Sequence, residues 1–138
     1  MNILYEAHAT ATGGRSGHVT TADGALDLQL SLPRSLGGSG GEGINPEQLF
    51  AAGYAACFEN ALIHVARNQK ITLEGTRVEA TVGIGLNDQG GFALEVKLAV
   101  TVPELPREQV QALVEQAHAV CPYSSAISGN VDVALELR

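Results

Sequence analysis

The sequence predicts an α+β domain, mainly antiparallel, with its elements in the order βββ–α–ββ–α–β and a long buried helix among the sheets. Three observations predict it. Apolar and polar residues alternate with a period of two near residues 26–32, 76–86 and 92–102, as in strands with one covered face. Between the first two of these blocks, residues 46–69 are apolar in every direction, as a buried helix is. The 138 residues are 45% apolar and 17% charged, which suits one folded core over 1–138 better than a disordered chain.

Residues 3–10 and 18–21 read as strands on either side of Gly13-Gly14-Arg15-Ser16-Gly17, whose glycines permit a tight reversal. Ala22-Asp23-Gly24 turns into the alternating Leu26 to Leu32. Pro33 to Pro46 is a glycine-rich loop, of which Gly37 to Gly41 is expected to be mobile. Asn45-Pro46-Glu47 opens a helix with a cap, a proline at the first helical position and an acid in the first turn. That helix runs to about Gln69, and Ala51-Ala52-Gly53 with Ala55-Ala56 would let another backbone approach it closely. A hairpin follows, turning over Asn87 to Gly91. Val110, Leu113, Val114 and Ala117 mark an amphipathic helix that ends at Cys121-Pro122. Val131, Val133, Leu135 and Leu137 give the last strand.

Bulk properties exclude several classes. Net charge is −7, with 8 Lys and Arg against 15 Asp and Glu and no basic run, so nucleic acid is not an expected partner. The N-terminus lacks a basic segment followed by a long apolar one, and no apolar stretch is expected to span a membrane. A cytoplasmic protein is expected. Aromatics are 4% with no Trp, so a lone subunit buries modest area and leaves room for a partner chain.

Chemistry centres on two cysteines, which in a reducing compartment are more often reactive or metal-binding than a structural staple. Either can be a small buried hydrophobe. The alternative is a pair in which one thiolate attacks a peroxide and the other condenses with the sulfenic acid. An unperturbed thiol is mostly protonated at neutral pH, so such a pair needs an activator. Arg15 is a candidate cation, and Glu47 could orient it through a bidentate pair, although a first-turn acid also simply suits the helix dipole. Leu49, Phe50, Tyr54 and Phe58 supply an apolar wall around Cys57 for a hydrocarbon tail. His64 and His118 would complete a Cys₂His₂ zinc site only without any familiar ligand spacing. Gly37-Gly38-Ser39-Gly40-Gly41 lacks the ending of a phosphate loop.

A resemblance favours the peroxide chemistry. Residues 45–58, Asn-Pro-Glu-Gln-Leu-Phe-Ala-Ala-Gly-Tyr-Ala-Ala-Cys-Phe, resemble the reactive-cysteine segment of organic hydroperoxide resistance proteins, a branch of the osmotically inducible protein C superfamily. Cys121-Pro122-Tyr123-Ser124 with Gly129-Asn130 resembles its second-cysteine segment, and Gly13-Gly14-Arg15 its arginine loop. The resemblance implies Cys57 as peroxidatic nucleophile, Cys121 as resolving thiol, and Arg15 with Glu47 as the activating pair. It further implies an intertwined homodimer without metal or haem, reduction of alkyl and fatty-acid hydroperoxides in preference to hydrogen peroxide, and re-reduction by lipoylated proteins or another dithiol. Ile44 departs from the family pattern, where threonine is common. Two rivals remain at this point: a redox sensor that forms the same disulfide without turning over, and a zinc-stabilised binding module.

Overall fold

The computed structural model describes all of residues 1–138. Contacts group the chain into two compact units, Met1–Leu49 and Phe50–Arg138.

The first unit carries three short strands, β1 (Ala9–Thr12), β2 (His18–Thr21) and β3 (Asp27–Gln29), in one antiparallel sheet ordered as in the chain. β1 is shorter and later than the expected strand over 3–10. Its partner β2 ends opposite Ala9, so residues 3–7 find no ladder to join. Met1, Ile3, Leu4 and Tyr5 are correspondingly exposed. β3 also stops early. The Leu30 amide turns to the Gly17 carbonyl, and Leu30 then bridges Ile44 in parallel. The loop from Pro33 is folded back on itself, with the Gly38 and Gly40 amides donating to the Pro33 and Leu32 carbonyls. Leu30 is the one buried residue of this unit.

Helix α1 (Pro46–Asn68) starts where the sequence places it. Its start is a reciprocal capping box. The Gln48 amide donates to Asn45 Oδ1 at 2.9 Å, and the Asn45 amide donates to Gln48 Oε1 at 2.9 Å. By length and composition α1 could cross a membrane, its mean hydropathy reaching 1.3 over 18 residues, contrary to the expectation that no stretch would. Alanines raise that value without making the helix uniformly greasy. One face, Tyr54, Phe58, Ala61, Leu62, Val65 and Ala66, is buried in the core, while Ala52, Ala56, Asn60 and His64 face outward. The helix is therefore half-covered by its own chain, not buried all round.

In the second unit, β4 (Arg77–Leu86) and β5 (Phe92–Thr101) form the expected hairpin, in register from Arg77 opposite Thr101 to Leu86 opposite Phe92. Asn87 closes the turn, its Oδ1 accepting the Gln89 and Gly91 amides. Burial is graded: Val96, Leu98 and Val100 are covered, whereas Phe92 and Leu86 at the tip are open. The alternation in the sequence marks the face but not where its cover ends. α2 (Arg107–Val120) leads to a short helix, α3 (Pro122–Ile127), that the sequence does not announce. β6 (Val133–Leu137) then joins β5 in parallel, the one parallel pair among the named strands. A parallel neighbour needs a crossover, which α2 and α3 supply. Val110, Leu113, Val114 and Ala117 of α2 meet the α1 face and β5 in one core cluster, which also contains Cys121.

Candidate active site

Each unit holds one of the two arrangements that the sequence suggests. In the first, the loop after β1 closes as a single 3₁₀ turn over Gly14–Ser16. Gly13 and Gly14 have φ of 73° and 58°, a region that L side chains seldom adopt. A Cβ on Gly17 would stand 1.7 Å from the Thr12 carbonyl oxygen. The glycines are thus what allows Arg15 to sit at the apex. Its guanidinium donates through Nη2 to Glu47 Oε1 at 2.6 Å and through Nη1 to Glu47 Oε2 at 2.8 Å. This is the planar two-bond fork that arginine, unlike lysine, can make. The hydrogen bonds from Arg15 hold the Glu47 carboxyl below its ordinary pKa, and the same bonds raise that of Arg15. The pair is therefore fully ionised near neutrality, with Glu47 well covered and Arg15 about a third open.

In the second unit, Cys57 lies on α1 and Cys121 at the junction between α2 and α3. Both are free thiols. Cys121 caps α3, with Pro122 as that helix's first residue. What looks in sequence like one helix ending is a break between two. The Cys121 thiol donates to Cys57 Sγ at 3.5 Å. Burial pushes the Cys57 thiol up from its ordinary pKa, and the Tyr123 backbone amide, donating to the sulfur, opposes part of that rise. Cys57 is half-buried and Cys121 fully buried. Left to these surroundings, Cys57 is a poor thiolate. A nearby cation would be needed to make it a good one.

The proposed apolar wall is only partly available. Phe58 and Tyr54 have no exposed surface and belong to the core cluster. Phe50 is half-buried and packs with Tyr54 and Tyr123 at ring-centre distances of 5.9 and 6.0 Å. Leu49 is half-buried in the other unit. Gly53 lets Tyr123 lie against α1, since a Cβ there would meet the tyrosine hydroxyl at 2.8 Å. No three His, Cys, Asp or Glu side chains converge as metal ligands. His64 pairs with Asn68, and His118 pairs with Ser124. Ser124 does not stand out in the sequence. It is buried, and its hydroxyl lies 2.7 Å from Tyr54 Oη and 2.9 Å from His118 Nδ1. Burial raises the Tyr54 phenol above its ordinary pKa and keeps it protonated.

Comparisons with known proteins agree in sequence and in shape. Residues 38–136 match the family model described as OsmC-like protein. The chain is 54% identical over 136 residues to the organic hydroperoxide resistance protein of Xanthomonas axonopodis pv. citri, covering 98% of this chain and 95% of that one. The crystal structure of an organic hydroperoxide resistance protein from Legionella pneumophila superposes with a TM-score of 0.94 at 53% identity, covering 99% of this chain and 98% of the other. That of the organic hydroperoxide resistance protein OhrB of Bacillus subtilis superposes with a TM-score of 0.92 at 49% identity, covering 99% and 100%. The fold, the order of elements and these alignments over nearly the whole length agree: the chain belongs to the OsmC family, among its organic hydroperoxide resistance proteins.

Proposed function

We propose that this protein is a cytoplasmic thiol peroxidase that protects against organic hydroperoxides by reducing them to alcohols. One distance carries this reading: two free thiols 3.5 Å apart, one partly open and one fully buried. The Cys57 thiolate attacks the outer peroxide oxygen. The O–O bond breaks, the alkoxide takes a proton and leaves as an alcohol, and Cys57 becomes a sulfenic acid. Cys121 then attacks that sulfur. The S–S bond forms as the S–O bond breaks, and the Cys121 proton leaves with the hydroxide as water. A dithiol such as a dihydrolipoyl group returns both cysteines to thiols by exchange, becoming a disulfide itself. The sulfurs need to close from 3.5 Å to about 2.05 Å, a small adjustment rather than a rearrangement.

Arg15 and Glu47 act as the activating pair, the cation offsetting the burial that holds the Cys57 thiol up. The working form is a homodimer. Its support is the apolar surface that one chain leaves open, namely Ile3, Leu4 and Tyr5 at the N-terminus and Ala52 and Ala56 on α1. The test is steady-state reduction of alkyl hydroperoxides of increasing chain length with dihydrolipoamide as donor. Efficiency should rise with chain length, hydrogen peroxide should be the poorest substrate, and dihydrolipoamide should outperform glutathione. One stoichiometric oxidation without turnover would identify a redox sensor instead.

A further inference from the structure

The disulfide chemistry leaves one buried polar feature without a use. Tyr54, Ser124 and His118 form a continuous hydrogen-bonded chain across all three helices of the second unit. Its polarity follows from counting hydrogens. Tyr54 has no exposed surface, so its hydroxyl proton must find an acceptor within the protein. Ser124 accepts it and passes its own single proton to His118 Nδ1, which satisfies every member. No buried side-chain polar atom in the chain lacks a partner, in keeping with that arrangement.

The placement is what assigns a role. Tyr54 stands three residues before Cys57 on α1, His118 three before Cys121 on α2, and Ser124 three after Cys121 on α3. Cys121 itself sits in extended backbone with φ −65° and ψ 122°, where one helix stops and the next begins. Single backbone bonds tie this junction to each side, Cys121 N to the Ala117 carbonyl and Ser125 N to the Cys121 carbonyl. Neither bond fixes it relative to α1. The Tyr54–Ser124–His118 chain joins the residues that flank both thiols, adding to the bonds that the Tyr123 amide and the Cys121 thiol make to Cys57 Sγ. The Phe58 and His118 rings, 6.4 Å apart, pack in the same place.

We propose that Tyr54, Ser124 and His118 are positioning residues for the resolving thiol, holding Cys121 Sγ within reach of Cys57 so that disulfide closure outruns over-oxidation. The second half of this statement rests on the peroxidase reading; the first half does not. Two measurements separate them. Equilibrating the protein with mixtures of reduced and oxidised glutathione gives the effective concentration of one thiol toward the other, without any peroxide. Tyr54→Phe and Ser124→Ala should each lower it by about threefold to tenfold, the factor carried by one or two lost hydrogen bonds. His118→Leu should do the same, and His118→Asn, which keeps a polar atom near the Nδ1 position, should fall between it and the wild type. Mass spectrometry after alkyl hydroperoxide challenge should show more Cys57 sulfinic acid per turnover in the same order, with the first oxidation step unchanged. Tyr54→Phe retains the ring and guards against mere misfolding. Lowered melting temperatures with unchanged glutathione equilibria would overturn the proposal and make the chain a structural brace. Shifted equilibria in a protein that consumes no peroxide would uphold the positioning and refute the peroxidase.

Discussion

The two thiols differ most in access, and that difference can be read directly. Cys57 is half-buried, whereas Cys121 has no exposed surface and is part of the core cluster. An alkylating agent reaches Cys121 only when α2 and α3 part locally from the core. If that opening costs about 2.8 kcal/mol, the thiol is reachable about one part in 100 of the time. Opposing this, burial raises the Cys57 pKa, and below that pKa a thiol loses about tenfold of its thiolate for every tenfold fall in its acidity constant. Cys57 should react faster than Cys121 as long as its loss of thiolate is smaller than the opening factor that shields Cys121. The assay uses Cys57→Ser and Cys121→Ser as single-thiol variants, iodoacetamide as reagent, and intact-mass spectrometry to follow each native protein. In denaturant the difference should vanish, which shows that access and not chemistry caused it. Equal native rates, or a faster Cys121, would refute the reasoning. The same asymmetry has a mechanistic consequence. A reductant attacking the disulfide should strike Cys57 and release Cys121 as the leaving thiolate, so a trapped mixed disulfide should map to Cys57.

Further outcomes follow from the site. Cys57→Ser should lose peroxide turnover entirely, while Cys121→Ser should react once and leave a Cys57 sulfenic acid that dimedone labels; normal dithiol-driven turnover in Cys121→Ser would end the resolving role. Arg15→Ala should move the single-turnover rate–pH profile to higher pH, because a thiol already raised by burial loses its cation, and the rate at neutral pH should fall by about tenfold for each tenfold loss of thiolate. Arg15→Lys should recover only part of this, since it restores charge without the fork to Glu47. Glu47 is held below its ordinary pKa by Arg15, so its contribution to stability is complete above the unfolded value of roughly 4.3 and is lost as pH falls through the lower folded value. Glu47→Gln should therefore flatten the acid limb of a stability–pH curve below that point, measured by denaturant midpoint, and change it little at neutral pH beyond a constant offset.

Most of the fold is legible in the sequence because its signals are periodic. The hairpin over residues 77–101 and the amphipathic face of α2 form where their patterns place them. What escapes are facts that depend on a neighbour. Residues 3–7 have strand-like sequence but no strand to pair with, and the tip residues Leu86 and Phe92 alternate correctly yet lie open. α1 looks buried all round because alanine counts as apolar wherever it points, and in the chain its Ala52–Ala56 side is uncovered. The site divides the same way. Glycine context and first-turn position single out Arg15 and Glu47, 32 residues apart, and they do form a two-bond ion pair. Ser124 carries no signal of its own in sequence, since a lone serine acquires meaning only from the phenol and imidazole that meet it. Tyr54 and Phe58 read as pocket wall from their spacing around Cys57, but that same spacing puts them on the buried face of α1.

The position of the ion pair also argues for a site shared between two subunits. Glu47 and Cys57 are both residues of α1, ten positions apart. Along a straight α-helix that is about 15 Å of rise and roughly 280° of rotation. An arginine whose guanidinium is fixed on a carboxylate cannot easily serve a sulfur so far along the same helix. Two copies of α1 packed antiparallel across a two-fold would bring Glu47 of one beside Cys57 of the other. The uncovered Ala52 and Ala56 allow that approach, and two-fold dimers are the commonest assembly. The competing route is a late start to the helix, with Glu47 on a loop folded back toward its own Cys57; α1 begins at Pro46, opened by a capping box at Asn45 and Gln48. Mixed dimers decide the matter. A Cys57→Ser subunit and a Glu47→Ala subunit should each be nearly inactive alone. Combined, a shared arrangement leaves one complete site per dimer, and about half of the wild-type activity should return in verified mixed dimers. If each site lies within one chain, no combination restores it, and the absence of rescue would place the activating pair in cis while leaving the thiol chemistry untouched.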